Sequence, residues 1–157
     1  MPDAQAAHEK TLTALLAAQG GANLIYGAGM LELGMTFDLA QLIIDSEIFK
    51  MVLHTINGFA VNDETLALNV IKEVGTGEFV SHPHTSENYR KIQSHSDLID
   101  RQARDAWVLS GSRNMTERCY ERAIYLLENH IPDPLSQEDA DYIRKIIEDA
   151  EIEYGVK

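Results

Sequence analysis

The residues of this chain that could do chemistry fall in three places. They are the loop Gly27-Ala28-Gly29-Met30-Leu31-Glu32-Leu33-Gly34, the group His82-Pro83-His84, and one carboxylate, Asp45, set in a long apolar stretch. The loop follows a short apolar run and precedes a long apolar segment, a position at which phosphate cradles occur. Its residues do not fit that use. A dinucleotide fingerprint has Gly where Glu32 stands, and a P-loop needs Gly-Lys-Ser/Thr, so a central carboxylate repels phosphate and suits a cation. The other reading of Glu32 is an exposed side chain in a glycine-rich turn. In His82-Pro83-His84 the proline stiffens a segment that presents two imidazoles with Glu87 nearby, which suits proton transfer or substrate binding. Helix capping, solvent exposure and a metal pair are the alternatives, and no Cys or third His stands at ligand spacing to complete a metal set. His8-Glu9 has the start of a zinc-protease helix, but Leu12 stands where the second histidine belongs. Cys119, the single cysteine, has no neighbouring His and reads as a small packing residue on a helix.

Asp45 is informative because of its direction. On a helix turning about 100° per residue, Ser46, Glu47, Lys50 and His54 share one polar arc. Asp45 lies opposite, between the directions of Ile48, Phe49 and Val52, and so points into the apolar face. A carboxylate there must be paired, hydrogen-bonded or protonated. Two roles fit: a structural Asp that binds a backbone amide or an Arg, or a residue of an active site.

The elements that must hold these residues are mostly helices. Residues 3–19 form a helix with Ala4, Ala7, Leu12, Leu15 and Leu16 on one side, stopped by Gly20. The run 22–26 is too short for a helix and reads as a buried strand. Thr36 or Asp38 caps a largely buried helix that reaches about Asn57. Asn62 starts a further helix that ends at Gly75, and Phe79-Val80-Ser81 reads as a short strand. Thr85 or Ser86 starts a short helix to about Ile92, Asp97 one that reaches Gly111, and Asn114 one that runs through about Asn129. Ser136 with Asp139 forms a capping box for a last helix ending near Tyr154. The whole, 1–157, reads as one domain, with 136–154 as a candidate appendage hinged at Pro132–Pro134. Helix, strand, glycine-rich loop and helix in that order is the rhythm of an α/β barrel, of which one clear strand is present.

The 157 residues are 45% hydrophobic, enough for a sizeable core, and the net charge of −12 argues against nucleic acid and anionic membranes as partners. Nine carboxylates fall between Glu128 and Glu153 against Arg144 and Lys145, which reads as a solvated helix face or a docking surface. One unpaired cysteine suits a reducing cytoplasm, and no apolar run approaches the roughly 20 residues that cross a bilayer. A cytoplasmic protein is expected.

Four stretches together resemble the trimethylamine methyltransferase family. They are Pro2–Lys10, Gly21–Glu32, Ile44–Ile48, and Val74-Gly75 followed by His84-Thr85 and Asp100-Arg101. The resemblance implies a C-terminal portion of a much longer (β/α)₈ TIM-barrel enzyme that moves a methyl group from a methylated amine to the cobalt of a separate corrinoid protein, as in methanogenesis from methylamines. On that reading the chain alone is mainly α with a few short strands, binds no cofactor directly, and has the corrinoid protein and the N-terminal part of the same enzyme as partners. Methanogen members carry pyrrolysine, encoded by an in-frame amber codon shortly before the segment matching Pro2–Lys10. The chain is then expected to be the frame downstream of such a codon, with Met1 an internal methionine.

The resemblance also implies roles. Tyr26 and Glu32 would meet an ammonium group, and Gln5 would lie near the pyrrolysine. His84 would assist proton transfer, with His82 beside it, and Asp45 would support the site from beneath. The chain alone would lack the group that defines the activity. Its unpaired strand edges and helix faces favour a homo-oligomer. A free-standing acidic helical module that binds a partner protein is the alternative, and a metallohydrolase built on His82 and His84 is a third reading.

Overall fold

A computed structural model describes residues 1–156 and is mainly helical. It separates into two compact units, divided at Ile124–Tyr125 within a helix. In the first unit, α1 (Ala4–Gln19) starts at Asp3, whose carboxylate accepts from the Ala6 amide. A two-residue antiparallel ladder follows, β1 (Met30–Leu31) with β2 (Thr36–Phe37), in which Met30 faces Phe37. Then comes α2 (Leu39–Ile56), capped by Asp38.

The core sits where α1 crosses α2. Ala7, Ala14 and Ala18 of α1 are small enough to let the helices approach closely, and they meet Ile44, Ile48 and Val52 of α2. Each of these three α2 side chains, nearly removed from water, contributes about 1.5–3 kcal/mol. The expected apolar side of α1 is corrected in part: Ala7 and Leu15 do pack on the core, but Ala4 is exposed, Leu12 and Leu16 are about half exposed, and Ala14 and Ala18 take their place. Residue size contributes, since a leucine at Ala14 would hold the helices apart.

The polar arc of α2 is corrected at one position. Ser46, Lys50 and His54 face solvent, but Glu47 is buried, bonded by Lys50 Nζ at 2.6 Å and by the Ser96 hydroxyl. Burial acts to raise the Glu47 pKa, but the hydrogen bonds from Lys50 and Ser96 outweigh it and hold the carboxyl below its ordinary value. Ser96 also accepts from the amides of Leu98 and Ile99, so segment 96–99 is pinned on α2 and Leu98 packs on the core.

Beyond α2 the pieces are short: α3 (Asp63–Leu66), α4 (Leu68–Val74), α5 (Pro83–Ile92) and α6 (Arg104–Leu109). Asn62 and Thr65 form a reciprocal capping box, as their spacing predicts for a helix start. The expected single helix to Gly75 is broken at Ala67, which takes φ 50°. Nothing in its side chain explains the break. The helix expected from Asp97 begins only at Arg104, because 96–99 is committed to Glu47 and α2. The strand expected at Phe79–Ser81 is absent: Phe79 O instead accepts from His82 N and Thr85 Oγ1 at the entry to α5.

The strand expected at 22–26 is also absent, since among the described residues no neighbouring strand offers its backbone partners. The helix α7 (Met115–Asn129) starts at Asn114 as expected, and Tyr120 ties it to the α2 cap through a 2.6 Å bond to Asp38. Its Cys119 is fully buried in the core, where loss of water pushes the thiol up to about 11 despite the opposing Arg118 charge. This thiol should resist alkylation at pH 8 until the chain is unfolded by denaturant, read by mass spectrometry; modification of the folded chain would contradict the burial. Because the folded thiol holds its proton more tightly than the unfolded one, its contribution to stability is complete below about pH 9. It is lost as pH rises through about 11.

The second unit contains α8 (Gln137–Glu153), begun by Ser136, whose hydroxyl accepts from the Asp139 amide. No helix among the described residues is long and apolar enough to cross a membrane.

Candidate functional site

Asp45 is 1% exposed and bonds three donors. Its Oδ2 accepts from Lys10 Nζ at 2.6 Å and from the Gly29 amide at 2.7 Å, and its Oδ1 accepts from Gln41 Nε2 at 2.7 Å. Lys10 also donates to the Gly27 carbonyl at 3.0 Å. One carboxylate thus joins α1, α2 and the glycine-rich loop. Its charge is matched by Lys10, without which burial there would be costly. Gln41 is buried with its Oε1 lacking a hydrogen-bond partner among the described residues, so its amide serves Asp45 alone.

The loop depends on glycine at one point. Gly29 has φ +77°, and a Cβ there would lie 2.6 Å from the Phe37 ring and 3.2 Å from Leu42 Cβ. That close fit delivers the Gly29 amide to Asp45. At the loop's tip Glu32 and Leu33 both have positive φ, 50° and 55°, a strained conformation for residues with side chains. Glu32 is exposed and accepts from Thr36 Oγ1 at 2.7 Å.

Above Asp45 lies a cleft of about 330 Å³. Leu24, Tyr26, Met30 and Phe49 line its apolar part, and Lys10 and Asp45 its polar end. Aromatic faces beside apolar groups suit a cation that carries methyl groups, whose charge is soft and whose surface is largely hydrocarbon. Because Lys10 already neutralises Asp45, the carboxylate acts here by holding the loop in place.

Of the six candidate side chains, Asp45 and Tyr26 share this cleft, and Gln5, Glu32, His82 and His84 do not line it. Gln5 bonds Glu9 one turn along α1. His82 caps α5, its Nδ1 accepting from the His84 amide at 3.1 Å, with Nε2 3.7 Å from Glu73. The His84 ring bonds the Glu64 carbonyl at 2.9 Å through Nε2. Pro83 occupies the first turn of α5, so the motif is a helix start in which both rings are engaged. Among the described residues, no three His, Cys, Asp or Glu side chains converge on a metal-sized point.

Lys10, Gln41 and the Gly29 amide belong to no sequence motif for binding Asp45, yet they complete the site around it. Two signals were available: Lys10 lies on the face of α1 that carries Ala7 and Ala14, and Gln41 stands one turn before Asp45.

These features, a helical scaffold holding a glycine-rich loop over an apolar cleft, accompany a sequence match that defines the class. Residues 1–155 match the model of the trimethylamine methyltransferase (MTTB) family. The chain belongs to that family. It is 53% identical to the trimethylamine methyltransferase MttB of Desulfitobacterium hafniense (strain DSM 10664 / DCB-2), over 99% of this chain and 32% of that protein. It is 44% identical to MttB1 of Methanosarcina mazei over 92% of this chain and 28% of that protein. It is 32% identical to the glycine betaine methyltransferase of Desulfitobacterium hafniense (strain Y51) over 87% of this chain and 29% of that protein. The chain therefore spans about a third of the length of these relatives.

Proposed function

We propose that this chain is the C-terminal portion of a methyltransferase that takes a methyl group from a methylated amine and passes it to a corrinoid protein, and that alone it is inactive. One observation carries the reading: identity runs the whole length of this chain yet covers 32% of the Desulfitobacterium MttB. The parent is a (β/α)₈ barrel, and the Gly27–Gly34 loop lies at its catalytic face. Tyr26 offers its ring to the ammonium and the Lys10–Asp45 pair keeps the loop in place, while Glu32, at the loop's tip outside the cleft, turns its carboxylate to the ammonium in the assembled barrel. Gln5 lies toward the catalytic group contributed from outside this chain.

The partner's corrinoid supplies the nucleophile that accepts the methyl group. A corrinoid macrocycle, many times larger than a methylated amine, does not fit a cleft of about 330 Å³, so these residues are walls for the amine. As the N–C bond breaks, the amine nitrogen keeps the electron pair and takes up a proton. His84, with His82 beside it, lies outside the cleft of this chain and handles that proton in the assembled barrel, where its bond to the Glu64 carbonyl is released.

The test is complementation. The chain is mixed with the part of Desulfitobacterium MttB that it does not cover, a corrinoid protein and trimethylamine. Methylation of the corrinoid, followed by its visible spectrum, should need both polypeptides. Methylation by the chain alone, or none from the mixture, would overturn the reading, and the second result would favour a free-standing interaction module.

A further inference from the structure

We propose that α8 is a self-association element: two copies of this chain pair through the apolar face of this helix, antiparallel and about a two-fold axis. The proposal does not depend on the functional reading above. Ala140, Ile143, Ile147, Ala150 and Tyr154 recur at steps of three and four residues, which sets them on one face over two heptads. That face is open. Ile143 and Ile147 are 46% and 54% exposed, and Tyr154, at the helix end, is 78% exposed. A cleft of about 210 Å³ runs along one edge of the face, lined by Ala140, Ile143, Arg144, Ile147, Glu148 and Glu151.

An apolar seam with this repeat suits another helix, because side chains enter the gaps of a facing surface that repeats at the same interval. The charges beside the seam point to a second copy as the occupant. Four of the seven carboxylates of α8, Glu138, Asp141, Glu148 and Asp149, fall on the side away from the seam, where they stay in water. On one flank of the seam stand Arg144 and, one heptad further, Glu151. Opposite charges at that spacing complement themselves: an antiparallel copy brings Arg144 to the partner's Glu151, and Glu151 to the partner's Arg144. The same register sets Ile147 against the partner's Ala150, large against small, and Ile143 against the partner's Tyr154. A parallel pair would instead lay the acidic run 148–153 against its own copy, where like charges repel.

The test is the oligomeric state of the full chain by sedimentation equilibrium, with circular dichroism to check that each variant keeps its helix content. The parent chain should dimerise reversibly with a Kd on the order of 10–100 µM, the range of a short seam. Ile147→Ala keeps a strong helix former and should weaken the dimer about tenfold or more. Arg144→Glu and Glu151→Arg should each weaken it about threefold or more. The double variant has the parent's net charge and exchanges the two ends of each ion pair, so it should associate as the parent does. A chain that stays monomeric at about 1 mM, or a dimer unmoved by Ile147→Ala, would overturn the self-association. A double variant as weak as the single ones would overturn the antiparallel register. Ile147→Ala abolishing binding to the uncovered part of Desulfitobacterium MttB, with self-association intact, would overturn the second copy as occupant. The functional reading is decided separately, by methylation in the complementation assay.

Discussion

Replacing Asp45 by alanine is expected to destabilise this protein by about 2–4 kcal/mol, read as a lower urea midpoint with an unchanged slope. The change removes one acceptor group and strands three donors: the Lys10 ammonium, the Gly29 amide and the Gln41 amide. Breaking a fully buried ion pair costs about 3–5 kcal/mol, and the lower range applies because the Lys10 side chain is 24% exposed and can reach water. Asp45→Asn keeps an acceptor of the same shape but loses the charge, and should cost about 1–2 kcal/mol. Lys10→Met leaves the carboxylate buried with only neutral partners, so its effect and that of Asp45→Ala should not add in the double variant. A loss below about 1 kcal/mol for Asp45→Ala, or simple additivity, would show that the carboxylate does not hold these three elements together.

The second large effect is expected at Gly29. Gly29→Ala should cost about 2–3 kcal/mol in the same measurement, from two sources. An alanine at φ +77° is strained, and its Cβ would meet the Phe37 ring and Leu42 Cβ. The half-exposed Phe37 ring can swing aside; Leu42 Cβ is part of α2 and cannot. Relief would then come from moving the loop, which pulls the Gly29 amide from Asp45. The same variant should therefore lose methylation in the complementation assay beyond what its stability explains, because Tyr26 moves with the loop. Phe37→Ala should restore part of the stability of Gly29→Ala. A Gly29→Ala chain as stable as the parent would show that the loop tolerates the displacement.

The direction of Asp45 was legible because a helix fixes the angle between residues: the segment is helical, and the carboxylate does point into its apolar face. The structural reading of Asp45 named a backbone amide or an Arg as partner; the structure gives the Gly29 amide and, as the cation, Lys10. Glu47 was misplaced by the same wheel. Helical angle says which way a side chain leaves its own helix and nothing about what packs there, and Ser96 arrives from 49 residues away. At 22–26 the alternation of side chains is present, but a strand is a property of two segments and this chain supplies one.

What the sequence by itself determined were the local events and the family. Asp3, Asp38, Asn62, Asn114 and Ser136 each start a helix with a bond to an amide three residues along, a choice made within one turn of chain. The tertiary structure alone decided which charge meets Asp45, which face of α1 is buried, and which residues line the cleft. Those outcomes need groups 16 and 35 residues apart to meet at one carboxylate. Their energies depend on size and on exclusion of water, and both are set only when α1, α2 and the loop close on one another.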